Sequence, residues 1–313
     1  MKHSVVSQAT WATCLGISRM GSLEVLSGEL SIWVQMRGCS WIESKEGKFL
    51  LRAGGWIVFA RDSMPTVQAD GRGICVGLTV SERALEAMGQ FSDYYLHVGQ
   101  GQMTANEVRE ISRLWYRTNH YLLDDGSSRM QASLRAILGY LEHIQSRYHH
   151  QVRLCPGASI ARKRHVFDRM QRARQYMAGH CNRVVRVGEM AEQTQFSPWY
   201  FSKVFHRLYG DAPQKAAAMM RLEHAASLLA STSVAIGDVG VASGFDNNCS
   251  FARSFRAKYG MTATSYREVH QSRGHEMCVR RPIYANRIAT RRELAQPAME
   301  TGIPRSGIAF ASA

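Results

Sequence analysis

The residues best placed to do chemistry fall in two short stretches of the C-terminal third. From Ser197 the chain runs Ser-Pro-Trp-Tyr-Phe-Ser-Lys-Val-Phe-His-Arg-Leu. Wound at a helical period, this segment turns Phe201, Phe205 and Leu208 to one side and Trp199, Ser202, Lys203, His206 and Arg207 to the other. A second stretch, following Asp246-Asn247, buries Phe251, Phe255 and Tyr259 and leaves Asn248, Cys249, Ala252, Arg253 and Arg256 outward. The chemistry on offer is recognition. A short helix with an apolar inner face and a polar, basic, aromatic-tipped outer face suits insertion into the major groove of duplex DNA.

The surrounding sequence supplies the elements that would hold these faces. Val187–Gln193 reads as a short helix with small Ala191 inside, where a neighbour must cross closely. A turn follows, then Ser197 as N-cap and Pro198 at the first helical position, a strong start signal. About fifty residues later the arrangement recurs. Ser233 is expected to start a helix with Ile236 and Val239 inward, Gly244-Phe245 to make the turn, and Asp246-Asn247 to cap the next helix. Between the two lies one long helix, roughly Pro213 to Ala230, with Met220, Ala225, Leu228 and Leu229 inward. Two such units on a stiff connector can enter successive segments of the major groove, about 34 Å apart.

These residues resemble the DNA-binding domain of the AraC/XylS family of bacterial regulators. Ala191, Ser197, Phe205, Gly210 and Pro213 fit the first half of its pattern, and Arg221, Ala225 and Leu228-Leu229 fit the connector. Ile236, Gly244-Phe245, Phe251-Ala252-Arg253-Ser254-Phe255, Gly260, Thr262 and Tyr266-Arg267 fit the second half. The resemblance implies base-facing positions at Trp199, Ser202 and Lys203 in the first unit and at Asn248, Cys249, Ala252 and Arg253 in the second. Lys203 or Arg253 would then pair with guanine and Asn248 with adenine. Competing readings are partial burial for Trp199, an internal ion pair for Arg253, and sequence-blind phosphate contact for Lys163, Arg164 and Arg207. The chain departs from the family at Gly240 (usually alanine, a loss of about 1 kcal/mol in helix propensity) and at Ala263 (usually proline). With Cys249 and Ala252 poor hydrogen bonders, the second unit is expected to rely more on backbone contacts than the first.

Charge is distributed accordingly. Of the formal net +14, residues 1–150 carry +1, residues 151–270 carry +9 and residues 271–313 carry +4. A basic half joined to a neutral one points to a polyanion partner for the basic half only. No run of eighteen apolar residues and no apolar segment after Met1-Lys2-His3-Ser4 is present, so neither a membrane span nor a secretory signal is expected, and the expected location is cytoplasmic. Seven scattered cysteines without C-x-x-C spacing read as free thiols, mostly small core residues. No G-x-S-x-G elbow, P-C-H-R run, Gly-rich phosphate loop or H-E-x-x-H occurs, so no enzyme, cofactor or metal is expected.

The first 85 residues read as strands. Leu23–Val34, Phe49–Phe59 and Gly73–Val80 alternate apolar residues around Ser-Gly and Gly-Gly breaks. Residues 105–123 and 130–148 carry helical stripes; Leu134, Ile137, Leu138, Leu141 and Ile144 form one that suits either a dimer seam or packing within its own domain. The fold class expected is α+β. It comprises an N-terminal cupin-like β-barrel with dimerisation helices (1–155), an all-α domain of two helix-turn-helix units (160–270) and a basic, disordered tail (271–313). The barrel outline comes from the resemblance. Trp11, Trp33, Trp41, Trp56 and Arg37 are candidates to line it, against a reading as core aromatics and a surface arginine. With His3 and His97 the only histidines before residue 120, a metal-holding cupin set is missing. The function expected is a DNA-binding regulator, an activator acting as a homodimer on promoter DNA with RNA polymerase as partner and a small-molecule effector. The alternatives are control by a protein partner, or an enzyme fused to a DNA-binding module.

Overall fold

The computed structural model describes residues 12–25, 28–89, 95–122 and 128–271. The expected disorder of 271–313 therefore falls almost wholly outside the described residues, as do Trp11 and His3.

Strands β1 (Ala12–Ser18), β2 (Ser22–Glu24), β3 (Leu30–Arg37), β4 (Cys39–Ser44), β5 (Gly47–Arg52), β6 (Gly55–Phe59), β7 (Thr66–Ala69) and β8 (Ile74–Val80) precede helix α1 (Glu82–Gly89) and strand β9 (Gly99–Gln102). They form two antiparallel sheets, ordered β1-β8-β3-β6-β9 and β2-β7-β4-β5. This corrects the expected barrel: among the described residues no hydrogen-bonded ladder joins the outer strands of one sheet to those of the other, so the strands make two layers and not a closed cylinder.

Alternation explains why two layers suffice. In the five-stranded sheet Ile32, Val34, Trp56, Val58, Leu78 and Val80 face a core shared with helices, while Trp33, Ile57, Phe59 and Cys75 face the second sheet. Ile42, Phe49, Leu51, Val67 and Ala69 complete that inner layer. The proposed lining residues are consequently not gathered. Trp33 lies between the sheets, Trp56 packs on the helix side, Trp41 is half-buried and Arg37 is exposed.

Helices α2 (Ala105–Tyr121), α3 (Ser128–Ile144) and α4 (Tyr148–Leu154, after a 3-10 turn at Gln145–Arg147) follow. The stripe Leu134, Ile137, Leu138, Leu141 and Ile144 is buried in the core under the five-stranded sheet, which accounts for it without a dimer seam. Helix α5 (Ile160–Gly179) starts after the Pro156-Gly157 break with Ser159 as N-cap. Then come α6 (Val187–Gln193), α7 (Pro198–Tyr209), α8 (Pro213–Ser231), α9 (Ile236–Ala242), α10 (Asn248–Tyr259) and α11 (Ala263–Gln271). By compactness the chain forms two units that divide between Met220 and Arg221. No helix among the described residues is long and apolar enough to cross a membrane.

Within the first unit α5 is held by both the sheets and the helices after it. Arg172 bridges buried Glu46 (Nε–Oε1 3.1 Å) and Asp62 (Nη2–Oδ2 2.6 Å), and Gln175 donates to the Val58 carbonyl at 2.8 Å. At its end the backbone of Gly179 presses on that of the β4–β5 turn: a Cβ on Gly179 would stand 2.3 Å from the Glu46 carbonyl oxygen, and one on Gly47 2.5 Å from the Gly179 oxygen. Only glycine fits on either side. His97, buried, bonds Asp168 of α5 at 2.7 Å.

Candidate nucleic-acid interface

The first helix-turn-helix unit is built as its sequence indicates. Ala191 is buried on α6, the Ser197 hydroxyl accepts from the Tyr200 N–H at 3.3 Å, and Pro198 occupies the first turn of α7. Phe201, Val204, Phe205 and Leu208 go into the core. Trp199, Lys203, His206 and Arg207 are exposed on the opposite face and Ser202 is half-exposed among them. Trp199 is 70% exposed, so its indole is not spent on its own domain. The Lys203 ammonium lies 4.9 Å from the indole centre, a cation–π pairing that stiffens both side chains at the surface.

The second unit repeats the plan. Asn247 caps α10, its side-chain oxygen accepting from the Ser250 N–H at 2.8 Å. Phe251 and Phe255 are buried and Tyr259 half-buried, while Asn248, Cys249, Ala252, Arg253 and Arg256 are all exposed. Arg253 makes no ion pair among the described residues. One expectation fails. The helix before the turn begins at Ile236 with Ala235 as an N-cap that offers no side-chain hydrogen bond, and Ser233 stands outside it. A serine before a helical pattern is a start signal only if its hydroxyl reaches an N–H two or three residues on.

The turns match atom for atom. In the first, the Phe196 N–H bonds the Ala191 carbonyl at 3.0 Å; in the second, the Phe245 N–H bonds that of Gly240 at 3.1 Å. The residue before each phenylalanine is left-handed, Gln195 at φ 51° and Gly244 at φ 71°. An arginine covers each ring: Arg169 stands 3.8 Å from the centre of Phe196 and Arg221 5.0 Å from that of Phe245. Arg221 also donates to the Gly244 carbonyl at 2.7 Å. Sequence reading missed both arginines' positions over the turns. The signal was available, an aromatic residue at the same place in each turn. Helices α7 and α10 both end on a left-handed glycine, Gly210 and Gly260.

The departure at Gly240 has a local cause. A Cβ there would lie 3.1–3.4 Å from Phe251, tighter than ordinary contact, so the bulk of Phe251 takes the space an alanine methyl would fill.

Comparison with known proteins agrees with this geometry. Residues 190–268 match the family model described as a helix-turn-helix domain. The chain is 27% identical over 108 residues to the regulatory protein PocR of Salmonella typhimurium, covering 34% of this chain and 36% of PocR. It is 27% identical over 198 residues to the uncharacterized HTH-type transcriptional regulator YobQ of Bacillus subtilis, covering 63% of this chain and 68% of YobQ. Among solved structures it is similar to the C-terminal domain of AraT, a response regulator from Geobacillus stearothermophilus. That match has 28% identity and a TM-score of 0.31, over 32% of this chain and 84% of that one. The chain thus spans only about a third of the length of PocR. Residues 190–268 are a helix-turn-helix domain.

Proposed function

We propose that this chain is a sequence-specific, DNA-binding transcription regulator, an activator that works in the cytoplasm as a homodimer and contacts RNA polymerase at the promoter. The observation that carries the reading is the pair of outward faces on α7 and α10, both exposed, polar and basic, each set on a helix-turn-helix frame of matching turn geometry. Trp199, Ser202 and Lys203 would read bases from the first unit and Asn248, Cys249, Ala252 and Arg253 from the second. His206, Arg207 and Arg256 would reach the flanking phosphates. Helix α8, nineteen residues long, joins the two helix-turn-helix segments along the chain.

Support for an effector comes from the inward face of one strand. Strand β3 turns Ser31, Trp33 and Gln35 inward, all fully buried, with the Ser31 Oγ, Trp33 Nε1 and Gln35 Oε1 unpartnered. Buried polar atoms are normally hydrogen bonded, so three on one strand face favour a small polar molecule as their partner. Its binding would shift the population of DNA-competent states.

Footprinting the purified chain on its own upstream DNA tests the reading. Two protected blocks about one helical turn apart are expected, with Lys203→Ala and Arg253→Ala each weakening protection about tenfold or more, the discrimination carried by one good base contact. Binding indifferent to both changes would overturn the assignment of the reading faces. A thermal-shift screen of small polar metabolites tests the effector, since a ligand of the folded state raises stability by mass action.

A further inference from the structure

Between Gln145 and Gly179 the chain carries eight Lys/Arg and a single acidic residue, Asp168. Most of these cations have structural partners. Arg147 lies over Trp56 and Tyr148, Arg164 over Tyr95, Arg169 over Phe196 and Arg174 over Tyr209, while Arg172 holds Glu46 and Asp62. Three, Arg153, Arg162 and Lys163, have neither a ring nor a carboxylate partner among the described residues, and all three sit where α4 ends and α5 begins. The Lys163 ammonium donates to the Arg153 carbonyl at 3.1 Å. The loop wraps closely over the first turn of α5, where a Cβ on Gly157 would stand 3.0 Å from that of Arg162.

This corner adjoins the recognition helix. Helix α4 packs on α7, and Cys155, which follows α4, has its thiol pushed up by burial and by the Asp168 charge while the charges of Arg207 and Lys163 lower it. None of Arg153, Arg162, Lys163 and Arg207 forms an ion pair among the described residues. Asp168, the one acidic residue of the segment, is taken by His97 and Tyr95. Like charges set this close along the α4–α5 loop, with Arg207 on the helix that packs on α4, repel one another; a polyanion laid across them would supply counter-charge.

We propose that Arg153, Arg162 and Lys163, continued by Arg207, grip the phosphate backbone beside the groove that α7 enters. The inference rests on the DNA-binding reading and extends it to residues outside the helix-turn-helix domain. From Lys203 to Arg207 the helix rises about 6 Å, and each DNA strand presents a phosphate about every 3.4 Å along the axis. The positive strip therefore runs from the base-reading face onto the flanking backbone. Such a grip adds affinity and orientation without sequence preference.

The test measures fluorescence anisotropy of a labelled, mixed-sequence 40-bp duplex with the full chain across a range of potassium chloride concentrations. Each lost phosphate contact lowers the steepness of log K against log salt by about 0.9. The triple variant R153Q/R162Q/K163Q is expected to lose about 2–3 from that slope, and R162Q alone about 1, with circular dichroism unchanged. Slopes equal to that of the unaltered chain in both variants, while K203Q lowers it, would overturn the corner and leave the DNA reading standing. Failure of the unaltered chain to bind duplex would overturn both. Vesicles containing phosphatidylserine serve as the other arm: preference for them over duplex, abolished in the triple variant, would reassign the corner to a membrane surface and sink the proposal.

Discussion

The two helix-turn-helix units share a turn, a capping scheme and a pair of buried phenylalanines, yet they are stabilised by different means. The first sits on α5, which is itself locked to the β-sheets through Arg172, Gln175 and the Gly47–Gly179 contact. It therefore draws on a large shared core. The second rests on elements of its own unit: Arg221 bonds the turn, Lys258 pairs with Glu223 at 2.8 Å, and Gln271 donates to the Thr232 carbonyl at 2.8 Å. Local sequence compensates accordingly. The first unit tolerates a non-glycine, Gln195, in a left-handed turn, whereas the second uses Gly244 there. Strain is affordable where packing is extensive, and it is avoided where it is not.

That contrast can be broken at graded cost. Phe251→Ala removes a fully buried ring from the smaller unit and should cost about 3–5 kcal/mol in denaturant unfolding; a loss below about 1 kcal/mol would mean this unit does not depend on its own core. Gly179→Ala drives a methyl group against the Glu46 carbonyl and should destabilise the first unit by about 1–3 kcal/mol. Unchanged stability would show that the α5 docking is loose. Gly240→Ala sets a gain in helix propensity of about 1 kcal/mol against crowding on Phe251. The net expected is a loss of about 1 kcal/mol, and a net gain would show that Phe251 can move aside. Gln195→Gly relieves the left-handed turn and should stabilise by about 0.5–1 kcal/mol, seen as a small rise in Tm.

A pH effect of smaller size sharpens the same picture. Burial pushes the Asp62 carboxyl up, but hydrogen bonds from Arg172 and Lys45, with their charges, more than offset it and hold the pKa at about 2. The carboxylate therefore stabilises the folded chain fully above its ordinary value near 3.8, and that contribution is lost as pH falls toward 2. Because Asp62 is half-exposed, solvent screening keeps the effect below about 1 kcal/mol. Asp62→Asn should flatten stability between pH 4 and pH 2, measured by urea titration at each pH.

Legibility in the sequence followed the strength of local signals. The α6–α7 unit was readable because Ala191, the Ser197-Pro198 cap and the Phe201/Phe205 pair each act within a few residues. The outward faces followed from helical period alone. Strand β9, Gly-Gln-Gly-Gln, was not readable: it has no apolar alternation and exists because its backbone completes the edge beside β6. The two-layer arrangement was hidden for a related reason, since alternation assigns faces but does not say whether outer strands meet. Ser233 misled because capping depends on a backbone angle that composition does not encode. The partners of Arg169, Arg172 and Arg221 lie far along the chain or across a turn, beyond what spacing reveals.

The locking of α5 bears on any attempt to isolate the DNA reader. A fragment beginning at Ser159 would carry Phe167, Gln175 and the Gly179 end of the helix into water, stripped of the strands and of the Tyr148 ring that now cover them. Bare apolar surface of that kind invites association. Soluble fragments would then require a polar residue in place of Phe167, or a cut that keeps the sheets.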